Sequence, residues 1–145
     1  MSKTISEQIH RINYLTAEMD ALYHQASLKI GLADSSMRVL YTIYDNGEWC
    51  LLSDIYKQSG ISKQTVNSAL RKLEAEDIIY LENFKGRSKK VLLTEKGKEY
   101  IQQTAARLYQ AEKNVYDSWT EEDLNIYVHL TEKYVDLFRE QLKKL

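Results

Sequence analysis

The apolar positions of this chain fall into long helical stripes at both ends and into short, crowded elements between them. From Ile5, the residues Ile9, Ile12, Leu15, Met19, Leu22 and Ala26 trace one side of a long first helix. At the far end Ile101, Ala105, Leu108, Val115 and Trp119 recur at near-heptad spacing and predict another. Thr120 then reads as an N-cap ahead of Glu121, Glu122 and Asp123, and the last helix carries Leu124, Tyr127, Leu130, Tyr134, Leu137, Phe138 and Leu142. The middle is more finely divided. Leu52, Ile55 and Tyr56 mark a short helix that Gly60 closes, and Ser62 caps the next. A pause of about four residues between two such helices is what a helix-turn-helix requires.

In the second helix of that pair, Ile61, Val66, Leu70 and Leu73 form an inward stripe. The outer face and first turn are left to Ser62, Lys63, Gln64, Thr65, Asn67, Ser68 and Arg71. Gln and Asn pair with adenine edges and Arg or Lys with guanine, while hydroxyls and a helix N-terminus suit phosphates. A merely solvated helix face has the same polarity, so the following segment decides. Residues 78–84 and 89–93 read as two strands joined near Lys85, Gly86, Arg87 and Ser88. Lys85, Arg87, Lys89 and Lys90 crowd the tip of this hairpin. Close positive charges repel one another on a free loop, but beside a phosphate backbone or in a minor groove they release counterions.

Net charge follows the same division. Residues 57–90 hold eight Lys and Arg against four Asp and Glu, whereas residues 1–56 hold four against seven and residues 91–145 eight against ten. The positive charge is therefore confined to one region of a chain whose formal net charge is −1.

Three local patterns resemble the MarR family of bacterial winged-helix regulators: Leu40 within RVLYTIY, the run SKQTVNSALRKLEAEDII from Ser62 to Ile79, and the segment Val91-Leu92-Leu93-Thr94-Glu95-Lys96-Gly97 after the hairpin. The resemblance spans nearly all 145 residues. It implies a mainly α fold with a small β-hairpin wing, a winged helix-turn-helix with N- and C-terminal dimerisation helices. The expected layout is one MarR-like domain over 1–145, with a DNA-binding region at 34–97 and dimerisation helices at 1–32 and 100–145. In the family an Arg seven residues before the junction Thr enters the minor groove, a role that falls here to Arg87. An Asp that commonly braces that Arg is replaced by Lys85, which implies a more basic, looser wing.

The terminal stripes each need a partner, and a chain of this length cannot bury them all in one globule. A two-fold homodimer satisfies them and sets two reading heads about one DNA turn apart on a pseudo-palindrome. A monomeric bundle that pairs the stripes internally fits the periodicity as well. Eleven Tyr against two Phe and two Trp invite a pocket. Since family members often bind small phenolic or anionic effectors, Tyr14, Arg38, Tyr41, Tyr44 and Tyr109 are its candidate lining, although Tyr at helical spacing also serves cores and interfaces.

The remaining composition removes other classes. No run approaches the roughly 20 apolar residues of a membrane span, and the N-terminus lacks a signal peptide, so the expected location is cytoplasmic, with no membrane partner. One cysteine, Cys50, excludes a disulfide framework and, between Trp49 and Leu51, reads as a small buried hydrophobe more than a redox sensor. His10, His24 and His129 stand apart, predicting no metal site. No phosphate loop, His-Glu-x-x-His or nucleophile elbow is present, so neither catalytic residues nor a cofactor are expected. The reading is a transcriptional regulator, by default a repressor, that binds double-stranded DNA. A winged-helix protein-interaction module without specific DNA binding is the alternative.

Overall fold

Thr4 opens the first helix with a reciprocal capping box: its hydroxyl accepts from the Glu7 amide and the Glu7 carboxylate accepts from the Thr4 amide, both at 3.1 Å. The computed structural model describes residues 4–145, and the chain resolves into two compact units, Met1–Leu108 and Tyr109–Leu145. Helix α1 runs Ile5–Ile30, α2 Asp34–Asp45, α3 Leu52–Gln58, α4 Lys63–Ala75, α5 Glu95–Gln103, α6 Ala105–Asp117 and α7 Glu121–Leu142. Strands β1 Trp49–Leu51, β2 Ile79–Asn83 and β3 Lys89–Leu93 form an antiparallel sheet in the order β1-β3-β2.

In the first unit, α2 packs on α3 and α4 and the sheet closes the base. Met37, Val39, Leu40 and Ile43 of α2 meet Ile55 of α3 and Val66, Ala69, Leu70 and Leu73 of α4, as the 3.6-residue spacing demands. The sheet contributes Cys50, Ile79, Val91 and Leu93, and Ile101 and Ala105 complete the core. Helix α1 joins it only through its last turns, where Ser27 is buried and Ile30 packs against the core. Ile5, Ile9, Ile12, Leu15, Met19 and Leu22 remain exposed.

Two local features depart from expectation. The stripe from Ile101 to Trp119 does not lie on one continuous helix, because the backbone breaks at Thr104 with φ −124° and ψ −95°. The Thr104 hydroxyl donates back to the Tyr100 carbonyl at 2.8 Å, a bond that competes with helix continuation. The sheet has a third strand, β1, beside the two that the pattern predicts, and it holds Cys50 paired with Val91. Three residues are too few to carry a strand signature, and only the pairing with β3 makes them one.

In the second unit, the Thr120 hydroxyl accepts from the Asp123 amide at 3.1 Å, as its N-cap role requires. Tyr116, Trp119 and Tyr127 pack edge to face around this corner, with Trp119 5.1 Å from Tyr116 and 5.5 Å from Tyr127 between ring centroids. Helix α7 buries none of its residues, leaving Leu130, Tyr134, Leu137, Phe138 and Leu142 exposed. Among the described residues no helix is long and apolar enough to cross a membrane.

Candidate nucleic-acid interface

Helices α3 and α4 meet through the turn Ser59 to Ser62. Gly60 there and Gly86 in the hairpin tip both take the left-handed conformation, with φ 73° and 57°. The Ser62 hydroxyl accepts from the Thr65 amide at 3.2 Å and donates to the Thr65 hydroxyl at 2.8 Å, closing the first turn of α4. The turn is tied to α2 from two sides. Arg38 Nη1 donates to the Ser59 carbonyl at 3.1 Å, and Asn46 Nδ2 bridges the Thr42 carbonyl and Gln58 Oε1 at 2.7 and 2.8 Å.

On α4 the structure brings Ser62, Lys63, Gln64, Thr65, Ser68 and Arg71 to the solvent side, with Asn67 half-buried beside them. Asn67 Oδ1 accepts from the Tyr56 hydroxyl at 2.6 Å, so part of its hydrogen-bonding capacity is spent within the protein. The Lys63 ammonium lies over the Tyr56 ring at 5.1 Å, and Arg71 Nη2 donates to the Ser68 hydroxyl at 3.3 Å. Gln64 makes no such bond among the described residues and is exposed. An amide held open on a fixed helix face can make the paired bonds that identify adenine.

The wing is β2 and β3 with its tip between them. Across the tip the Phe84 amide donates to the Ser88 carbonyl and the Ser88 amide to the Lys85 carbonyl, both at 2.9 Å. Lys85, Arg87 and Lys89 are exposed, and among the described residues no carboxylate pairs with any of them. Lys90 differs from its neighbours. Its ammonium sits 3.6 Å from the Glu82 carboxylate and 5.1 Å from the centre of the Trp49 ring.

The segment after the wing fastens α4, the wing and α5 together. Thr94 caps α5 by accepting from the Gly97 amide at 2.8 Å, and its hydroxyl donates toward the Asp77 carbonyl at 2.6 Å and the Ile78 carbonyl at 3.2 Å. The Thr94 amide also donates to the Ile78 carbonyl at 3.0 Å, and Lys96 Nζ donates to the Glu76 carbonyl at 2.9 Å, at the negative end of α4. Gly97 lies so close that a β-carbon there would stand 1.9 Å from the Ile78 oxygen. The Thr-Glu-Lys-Gly pattern is thus a junction, each of whose outer members has a contact to make.

Of the five residues expected to line an effector pocket, Tyr14, Arg38, Tyr41 and Tyr44 belong to the first unit and Tyr109 to the second. Tyr14 on α1 is exposed with the Arg11 guanidinium 5.5 Å over its ring, and Tyr41 and Tyr44 pack against the core from α2. Arg38 is engaged at Ser59, and Tyr109 falls in the second unit. An open depression of about 490 Å³ lies along the first turns of α7, lined by Glu121, Glu122, Asn125, Ile126 and His129. Cys50 is 4% exposed. Burial, reinforced by the nearby Asp54 charge, pushes its thiol up to about 12, away from the thiolate a redox sensor uses. His24 Nδ1 and Asp34 Oδ2 approach to 2.8 Å, and no group of three or more potential metal ligands occurs among the described residues.

Residues 30–86 match the family model described as the MarR family. No curated protein matches the chain. Among solved structures, AbsC, a MarR family transcriptional regulator from Streptomyces coelicolor, superposes with a TM-score of 0.70 at 18% identity, over 97% of this chain and 99% of that one. The MepR–DNA complex of S. aureus gives 0.63 at 22% identity, over 94% and 99%. Bordetella bronchiseptica BpsR, whose DNA binding is regulated by 6-hydroxynicotinic acid, gives 0.64 at 21% identity, over 92% and 98%. The chain has the fold of the MarR-family transcriptional regulators: mainly helical, with a small three-stranded sheet carrying the wing.

Proposed function

We propose that this protein is a transcriptional regulator, a repressor by occlusion, that binds a pseudo-palindromic operator as a homodimer in the cytoplasm. The observation that carries the reading is the junction of two DNA-facing surfaces on one scaffold. The open polar face of α4 and the unpaired cations of the wing tip are fixed to each other through Thr94 and Lys96. Base edges would be read by Gln64 with Asn67, Ser68 and Arg71, phosphates held by Ser62, Lys63 and Thr65, and the flanking minor groove entered by Arg87 with Lys85 and Lys89 beside it.

The exposed stripes support the dimer. Burying Ile5, Ile9, Ile12, Leu15, Met19 and Leu22 would contribute on the order of 5–10 kcal/mol per protomer, given about 1.5–3 kcal/mol for a fully buried large apolar side chain and the partial exposure of each. The stripe of α7 offers a second such face. A regulator of this fold answers to 6-hydroxynicotinic acid, and an anionic or phenolic effector is part of the present reading. Arg38 is the candidate through which an anion would act. A carboxylate pairing with its guanidinium would compete with the Ser59 carbonyl that now ties α2 to the turn before α4.

The test is selection of random duplex DNA on the purified protein, with affinity at two salt concentrations and stoichiometry by mass. An enriched inverted repeat bound by two chains supports the reading. Weak, salt-sensitive binding without enrichment would turn attention to a protein-interaction module instead.

A further inference from the structure

We propose that the wing is held in position by an aromatic clamp, Trp49 and Phe84 gripping Lys90, in place of a carboxylate brace on the tip arginine. The inference rests on the DNA-binding reading above, and it changes the part given to Lys90 from phosphate contact to positioning residue. The expectation of a loose wing, drawn from Lys85 standing where an Asp is common, is replaced by a different way of bracing it.

The sheet register assembles the clamp. Trp49 pairs with Leu92, and Lys90 pairs with Leu51 on one side and Glu82 on the other. Side chains alternate along a strand, so Trp49, Lys90, Leu92, Tyr80, Glu82 and Phe84 share the face opposite the core residues Cys50, Ile79, Val91 and Leu93. The Lys90 ammonium lies 5.1 Å from the Trp49 ring centre, 5.9 Å from that of Phe84 and 3.6 Å from the Glu82 carboxylate. The two rings stand 5.9 Å apart at 47°. Phe84 also carries the Lys85 ammonium at 5.6 Å, and its amide closes the tip onto Ser88. The Lys90 side chain is only 24% exposed, unlike the open lysines around it. This arrangement also gives the short strand β1 a purpose, since its pairing with β3 delivers Trp49 to the wing root.

The chemistry explains why rings serve here. A carboxylate beside the tip cations would fix them but cancel the charge that drives counterion release. An aromatic face attracts an ammonium through its quadrupole and leaves the net charge intact. Glu82 offsets one charge at the root, and the tip keeps Lys85, Arg87 and Lys89.

The test uses the full chain, an AT-rich duplex about three helical turns long, and the variants Phe84→Leu, Phe84→Tyr, Lys90→Gln and Arg87→Ala. Amide hydrogen exchange is read at Phe84 and Ser88 without DNA, and affinity is read across a salt series. Phe84 is 42% exposed, so its replacement does not hollow the core. Phe84→Leu should speed exchange at both amides about tenfold and weaken duplex binding about fivefold with an unchanged salt slope, and Phe84→Tyr should restore both. Lys90→Gln should weaken binding while leaving the slope unchanged. A slope lowered by about one per protomer would make Lys90 a phosphate contact and overturn the proposal. So would unchanged exchange in Phe84→Leu. If exchange rises and Arg87→Ala weakens binding but Phe84→Leu does not, the positioning claim alone falls. If neither variant affects binding, the wing does not meet DNA, and the reading on which the proposal rests falls with it.

Discussion

Replacing Gly97 by Ala should destabilise the fold by about 2–4 kcal/mol, although Gly97 lies in a helix where Ala is ordinarily the better residue. Its ideal β-carbon would stand 1.9 Å from the Ile78 oxygen and 2.9 Å from the Ile78 carbonyl carbon, whereas ordinary contact begins near 3.4 Å. Relief therefore needs a separation of about 1.5 Å between α5 and the start of β2. The Ile78 oxygen accepts the Thr94 amide at 3.0 Å and the Thr94 hydroxyl at 3.2 Å, and a shift that large breaks both. Overpacking of backbone costs about 1–3 kcal/mol and each lost bond about 1 kcal/mol, offset by roughly 0.5–1 kcal/mol of improved helix propensity. Urea unfolding at fixed protomer concentration reads the result directly. With a slope of about 2 kcal/mol per molar, the midpoint should fall by roughly 1–2 M. An unchanged or raised midpoint would mean that α5 does not press on Ile78, and the account of the junction would be wrong.

Arg87→Ala should weaken duplex binding most at AT-rich flanks and lower the salt slope by about one per protomer, measured by titration at several salt concentrations; equal loss at all flanking sequences would remove it from the minor groove. Gln64→Ala should relax base preference at one position per half-site by about 1–3 kcal/mol, read from competition between single-base operator variants, while a uniform loss would make Gln64 a phosphate contact. Cys50 supplies a pH prediction. Its thiol is raised from an ordinary 9.0 to about 12, so between those values the unfolded chain has released a proton that the folded chain keeps. Its contribution is complete below pH 9 and drains away as pH rises toward 12, and Cys50→Ala should show a smaller alkaline fall in urea midpoint than the parent chain; an identical fall in both would dismiss the burial argument.

What sequence can and cannot reveal divides along the range of the interactions. The caps at Ser62 and Thr120 and the inward stripe of α4 depend on residues three or four positions apart, and each is legible in the order of residues alone. The break at Thr104 is not, because the stripe from Ile101 onward keeps its period across it and only the hydroxyl bond to Tyr100 betrays the bend. Strand β1 is hidden for the opposite reason: it exists through its partner β3, some forty residues later, and has no pattern of its own. Lys90 shows what this means for a functional site. As one of four basic residues near a tip it reads as a phosphate contact, and its charge is identical to that of Lys89 next to it. The pleat turns the two to opposite faces of the sheet, and only β1 makes one of those faces aromatic.

The same division bears on how binding at a distant site could reach α4 and the wing. The C-terminal end of α4, the first residues of β2 and the start of α5 share hydrogen bonds among Glu76, Asp77, Ile78, Thr94 and Lys96. At its other end α4 follows the turn that Arg38 ties to α2. Helix α4 is therefore fastened at both ends to different elements, and it can change its attitude only if one of these fastenings yields. The junction at Thr94 carries four hydrogen bonds and a glycine contact with no spare room, whereas the turn is held to α2 by one side-chain bond each from the exposed Arg38, to Ser59, and from Asn46, to Gln58. A ligand of modest affinity has enough energy to replace one such bond but not to dismantle the junction. The yielding end should thus be the α3–α4 turn, with the wing and α4 moving as one body.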